Sequence, residues 1–204
     1  TRNKNQELDQ PKQVTDPGLI ALLNEQYDKA VTIYQEALRI KPDDAEAWNY
    51  LGIAYNGLKQ YDRAVQAYQE GLRIDPDAFW AWNDLGAAYG NLKQYDKSVT
   101  ASQEAVRIEP DNAEAWTKLG AGYFLLQEYD KAVTAYQEAV RIKPDYAEAW
   151  YSLSAAYFSQ GRYGRAYKAY QALRKLDALR ADKFSNVAFK ERWLELRVGS
   201  SVFI

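Results

Sequence analysis

Apolar residues along this 204-residue chain recur at helical spacing, broken by short polar turns. Trp48, Leu51, Gly52 and Tyr55 fall at i, i+3, i+4 and i+7, one face of a helix. The next segment, residues 61–74, places Ala64, Tyr68, Gly71 and Leu72 on a second stripe, and Pro76 stops it. This couplet returns every 34 residues: Trp48, Trp82, Trp116 and Trp150; Leu51, Leu85, Leu119 and Leu153; Pro42, Pro76, Pro110 and Pro144. Tyr55, Tyr89, Tyr123 and Tyr157 keep the same register, as do Tyr61, Tyr95, Tyr129 and Tyr163. Small residues at Gly52, Gly86, Gly120, Ala64 and Ala132 predict close helix approach beside a large ring. Asp43 with Glu46, Asp111 with Glu114 and Asp145 with Glu148 predict capping boxes, with Asn112 also near Glu114. Asp16 before Pro17 suits an N-cap and a first helical position.

One such helix pair cannot bury its stripe alone, so neighbouring pairs must stack into a continuous core. The W-x-x-L-G-x-x-Y, A-x-x-x-Y, P pattern resembles the tetratricopeptide repeat family over residues 17–180. The resemblance implies an all-α fold, an α-solenoid of stacked antiparallel helix pairs in a right-handed superhelix, with first helices lining a concave groove. Repeats are expected at 45–78, 79–112, 113–146 and 147–180, the last with Ser154 for Gly and a residue lost near Ala172. Residues 15–44 read as a degraded first repeat. Residues 1–14 form a polar segment or linker, and 181–204 a capping helix and tail that shields the last repeat.

Composition narrows the chemistry. The chain has no Cys, His or Met, which removes Cys-His and Ser-His nucleophiles, thiolate and imidazole metal sites and disulfides. The missing initiator Met reads as a processed or trimmed fragment. No apolar run reaches the ~20 residues of a membrane span, so a soluble protein is expected, with the cytoplasm favoured. The net charge of −2 hides a gradient: residues 1–146 carry 16 basic and 23 acidic residues, residues 147–204 carry 10 and 5. The recurring carboxylates follow the period and so serve helix starts and solvated faces rather than acid-base catalysis. No glycine run has phosphate-binding spacing. No enzyme activity, cofactor or metal is expected.

Binding is the better reading. Opposite the core stripe, the first helices present Glu46, Asn49, Tyr50, Ile53, Trp80, Asn83, Asp84, Lys118, Phe124, Tyr151 and Phe158. A solvated face would carry Lys, Glu and Gln, whereas this one is aromatic, the composition of interaction sites. Trp80 stands where other repeats have Glu46, Glu114 and Glu148; the alternative is that it packs within the chain against Tyr50 or Lys118. Asn49 and Asn83, one repeat apart, each offer a donor and an acceptor to peptide amides. The resemblance adds that members with asparagine ladders hold peptides that way. Members that clamp a C-terminal carboxylate fit less well, because Glu46, Glu114, Glu148 and Asp84 would repel it.

Ser98 and Ser102 replace the usual Ala and Tyr, which implies repacking, a small recess or a pocket for a ligand side chain. Arg165, Lys168 and Lys175 lie on the last second helix as a solvated face. Nucleic acid is disfavoured because the groove is acidic. The expected function is a non-catalytic interaction scaffold that binds an extended or helical protein segment. The alternatives are a head-to-tail homo-oligomer, built from the acidic body and basic end of successive copies, or the substrate-recruiting part of a larger enzyme.

Overall fold

A computed structural model describes residues 16–182. Their regular structure is helical throughout, in two compact units that meet in sequence between Ala88 and Tyr89. The first unit holds α1 (Pro17–Leu23), α2 (Tyr27–Ile40), α3 (Ala45–Gly57), α4 (Tyr61–Ile74) and most of α5 (Phe79–Asn91). The second holds the end of α5, then α6 (Tyr95–Ile108), α7 (Ala113–Leu125), α8 (Tyr129–Ile142), α9 (Ala147–Ser159) and α10 (Tyr163–Leu176). From α1 to α4 and from α6 to α10 each helix packs against the next, and α7 also touches α9 as α1 touches α3. The architecture is therefore the expected stack of helix pairs.

The division of labour follows composition. Second helices such as α4 have one apolar stripe and a charged outer face, whereas first helices such as α3 are apolar nearly all round and sit sandwiched. Leu51, Leu119 and Leu153 are buried, with Ala54, Ala115 and Ala156 filling the narrow gaps. Glycine is required where a ring lies on the backbone. A Cβ on Gly120 would come within 2.6 Å of the Tyr136 ring, and Gly52 is covered the same way by Tyr68. Each period Trp donates its indole N–H to the carbonyl of the proline six residues earlier, at 2.8 Å in all four cases. Gln35, Gln103 and Gln137 donate to the hydroxyls of Tyr55, Tyr123 and Tyr157 in the following pair, at 2.8–2.9 Å.

The turn between first and second helix is the same in every repeat. Glu25, Lys59, Lys93, Gln127 and Gly161 all have positive φ. In the second repeat Lys59 N–H donates to Asn56 and Gln60 N–H to Tyr55, the reversed hydrogen bonds that close a helix on a left-handed residue.

Helix starts differ from the expected capping boxes. The caps are Asp44, which accepts from Ala47 N–H, and Asn112, which accepts from Glu114 and Ala115 N–H; Tyr146 occupies the α9 position without a side-chain cap. The reason is the preceding proline turn. Asn112 N–H donates to Glu109 and Tyr146 N–H to Lys143, closing four-residue turns with Pro second and Asp third. Asp111 and Asp145 are spent inside those turns, so the cap falls one residue later and Glu114 and Glu148 lie at the second helical position. At the N-terminus the expectation holds: Asp16 caps α1 through Gly18 N–H at 2.7 Å, with Pro17 as the first helical residue.

α10 keeps all 14 residues, so no residue is lost at Ala172. The irregularity of the last repeat lies in the connection, where Asp177 closes α10 and its side chain accepts from Arg180 N–H at 2.8 Å. Residues 178–182 are helical, and Ala181 is buried in one core cluster with Leu153 and Leu173. The N-terminal segment 1–14 and the capping helix and tail beyond Asp182 lie outside the described residues.

Candidate protein-interaction face

The expected groove residues divide between the two units. In the first, α3 carries Glu46, Asn49, Tyr50 and Ile53, and α5 carries Trp80, Asn83 and Asp84. Asn49 and Asn83 are more than nine-tenths buried, deeper than a flanking position implies, and the Oδ1 of each has no protein partner. For Asn49 the reason is that α3 lies packed between α2 and α4. Ile53 and Asp84 are half-buried, Glu46 is exposed, and Trp80 keeps 36% of its surface open.

Tyr50 is held inside the first unit. Its ring stacks on Tyr34 at 5.2 Å between centroids, and its hydroxyl donates to Glu46 at 2.9 Å. Tyr34 in turn donates to Asp16 at 3.1 Å. Burial, then the hydrogen bond and charge of Glu46, push the Tyr50 hydroxyl up to about 12, and burial with Asp16 raises Tyr34 further. Tyr68, buried beneath the same helices, is raised by burial and by the charge of Asp84. These tyrosines are neutral hydrogen-bonding groups, not nucleophiles, at any ordinary pH.

In the second unit the face holds Lys118, Phe124, Tyr151 and Phe158. Lys118 pairs with Glu114 one turn back at 3.0 Å. Phe124 meets Tyr129 edge-on at 5.4 Å and Phe158 meets Tyr163 at 5.3 Å. Both phenylalanines and Tyr151 are half-buried. Sequence reasoning placed these aromatics on one face, but their ring partners on the neighbouring helices show that part of each is intramolecular filling. Thr117, which breaks the asparagine series, is buried and donates to Ala113 carbonyl at 2.8 Å. Ser98 and Ser102 are both buried, and the Ser102 hydroxyl has no protein partner.

Two features escaped the sequence reading. The Asp16–Tyr34 link depends on a long-range contact that no local pattern announces. The other lies on the second-helix side, where recesses open beside Trp48 and Trp150. Among the described residues no group of His, Cys, Asp and Glu could hold a metal ion, and no helix is long and apolar enough to cross a membrane.

Tetratricopeptide repeat signatures match residues 18–79, 57–122 and 147–178, and a TPR repeat signature matches residues 121–161. The chain belongs to the tetratricopeptide repeat family. Among solved structures it is similar to a crystal structure of MamA at 26% identity, covering 82% of this chain and 98% of that one with a TM-score of 0.75. A second MamA crystal structure matches at 25% identity, covering 81% and 90%, with a TM-score of 0.72. A MamA fragment from Desulfovibrio magneticus RS-1, at 24% identity over 79% and 91% with a TM-score of 0.74, shares the fold. No curated protein matches the chain. As a member of this family the chain is a protein-interaction scaffold, of a fold that is typically non-catalytic.

Proposed function

We propose that the chain binds an extended or helical segment of a protein partner on its first-helix faces. Glu46, Asn49, Tyr50, Ile53, Trp80, Asn83 and Asp84 serve in the first unit, Lys118, Phe124, Tyr151 and Phe158 in the second. The observation that carries this reading is Trp80, an indole left 36% exposed where other first helices carry Glu. An exposed ring of this size on a helix that buries Ala81, Leu85 and Ala88 is a ready anchor for an apolar side chain. Asn49 and Asn83 support it. Each carries an Oδ1 acceptor that no protein donor reaches, so neither amide oxygen is committed to holding the fold together.

The test is selection of dodecapeptides from a displayed random library on the intact chain, followed by affinity measurement on Tyr50→Ala with Trp80→Ala. A folded double variant that binds the selected peptides as tightly as the parent overturns the proposal. A second reading, head-to-tail self-association, is favoured by the charge contrast between residues 1–146 and 147–204. It requires a mass that grows with concentration at low salt, read by light scattering; a monomer throughout excludes it.

A further inference from the structure

On the side of the second unit formed by second helices, α8 and α10 flank a recess of about 670 Å³ whose floor is the α9 residues Trp150 and Leu153. The polar ends of the aromatic side chains there are engaged within the chain, the indole as a donor and the phenol as an acceptor. Trp150 Nε1 donates to Pro144 carbonyl, and the Tyr157 hydroxyl accepts from Gln137, both at 2.8 Å. The uncharged lining is therefore largely hydrocarbon, completed by Val140 and Ala169, with Gln137 as its polar member. Its lining includes three cations, Arg141, Arg165 and Lys168, and no carboxylate. Arg141 is tied to Glu138 at 2.7 Å. Arg165 lies over the Tyr157 ring at 5.9 Å, and neither it nor Lys168 has a carboxylate partner among the described residues.

The first unit provides an internal reference. The equivalent recess beside Trp48 is lined by Arg39, Arg63 and Gln66, so Gln66 stands where Lys168 does, and Arg63 is engaged by Gln60 at 3.0 Å. Thr100 and Thr134 occupy the same register in the intervening repeats. The last recess thus carries one cation more than its counterpart, Lys168, beside the Arg141 that Glu138 already engages.

We propose that this recess binds an acidic protein segment, one that inserts an aliphatic or aromatic side chain onto Trp150 and Leu153 while carboxylates on either side meet Arg165 and Lys168. Charge complementarity selects the partner, because two cations that have no carboxylate partner among the described residues, set beside an apolar floor, reward an anion that carries its own hydrocarbon anchor. The volume is that of an ordinary ligand site and admits two or three residues. The floor has no spare donor or acceptor with which to read a nucleobase edge. The chain's own C-terminal residues 183–204 are a poor occupant, since they carry four basic and two acidic residues.

The experiment uses the full chain and a fluorescein-labelled dodecapeptide with one Leu between two pairs of Glu in an otherwise Ser/Gly background, read by anisotropy at low and physiological salt. Arg165→Gln with Lys168→Gln should weaken binding about tenfold or more, as should Glu→Gln or Leu→Ser in the peptide. Arg174→Gln with Lys175→Gln, exposed cations outside the recess, should leave it unchanged, and Gln66→Lys should strengthen attachment to the first-unit recess. Far-ultraviolet circular dichroism confirms that the exposed-site variants stay folded. The proposal is overturned by absence of peptide binding, by equal losses in the two double variants, or by indifference to Leu→Ser. It is likewise overturned if a peptide of residues 183–204, or anionic phosphatidylserine vesicles, binds more tightly and with the same dependence on Arg165 and Lys168.

Discussion

Both complete helix pairs of the first unit meet through a glycine under a tyrosine ring, Gly18 beneath Tyr34 and Gly52 beneath Tyr68. The second unit keeps that device at Gly120 and Tyr136 but relaxes it elsewhere. Ser154 takes the glycine position and buries its hydroxyl by donating to Ala166 carbonyl at 2.8 Å, while Ser102 takes a tyrosine position. The contrast extends to the helix ends and the aromatic contacts. The first unit caps α1 and α3 with aspartates and ties its stacked tyrosines to Asp16 and Glu46, whereas the second leaves α9 uncapped and pairs Phe with Tyr edges. At Ser154 a repeat has therefore exchanged tight apolar contact for a satisfied polar one without losing its helices, because the hydroxyl finds a carbonyl within reach, whereas α6 forms with the Ser102 hydroxyl buried and without a protein partner.

The largest expected effect comes from forcing a Cβ where the first unit has none. Gly52→Ala drives a methyl into the Tyr68 ring and should lower unfolding free energy by about 1–3 kcal/mol in urea titration. Ser154→Gly, at the matching position, should cost less because the position already accommodates a Cβ and loses one hydrogen bond. Equal losses would show that the two contacts are equally tight and erase the contrast.

Capping comes next. Asp44→Ala removes the acceptor for Ala47 N–H and should cost about 1 kcal/mol, whereas Tyr146→Asp should supply the missing cap of α9 and gain a similar amount, both seen as shifts in the thermal midpoint. The turn residues offer a parallel exchange. Gly161→Ala should destabilise by about 1 kcal/mol and Lys59→Gly should stabilise by less than that, because both positions have φ near +60 to +70°.

The smallest effect is a pH dependence. Tyr50 has its value raised from 10.0 to about 12 in the folded chain. Its neutral form is favoured by folding, so its contribution is complete below pH 10 and is lost as pH rises toward 12. Tyr34, Tyr68 and Tyr136 shift in the same direction. Tyr50→Phe should therefore make the alkaline decline of the unfolding midpoint shallower between pH 10 and 12 but not abolish it; an unchanged slope would remove Tyr50 from that decline.

The repeat was legible because its signals are local or strictly periodic. Pro76 ends α4, Trp and Leu at fixed spacing mark the first helices, and Gly52 announces that something large lies against it, though not that Tyr68 does so. The face residues were legible only as positions. Nothing local distinguishes Trp80, which stays open, from Phe124 and Phe158, which lean on Tyr129 and Tyr163, because each answer depends on a neighbouring helix. The capping error has the same origin on a smaller scale: Asp43, Asp111 and Asp145 all look like caps until the proline turn is built and takes Asp111 and Asp145 for itself.

By itself, then, the sequence determined helix lengths, the 34-residue register, the stacking of pairs and the family, since these follow from amphipathic periodicity and from which residues tolerate a helix end. Only the tertiary structure decided which polar groups are buried without a partner, as at Asn49, Asn83 and Ser102, and where cations gather over an apolar floor, as at Arg165 and Lys168. Those properties belong to surfaces assembled from three helices at once, and residues 137–169 bring them together only when α8, α9 and α10 have packed.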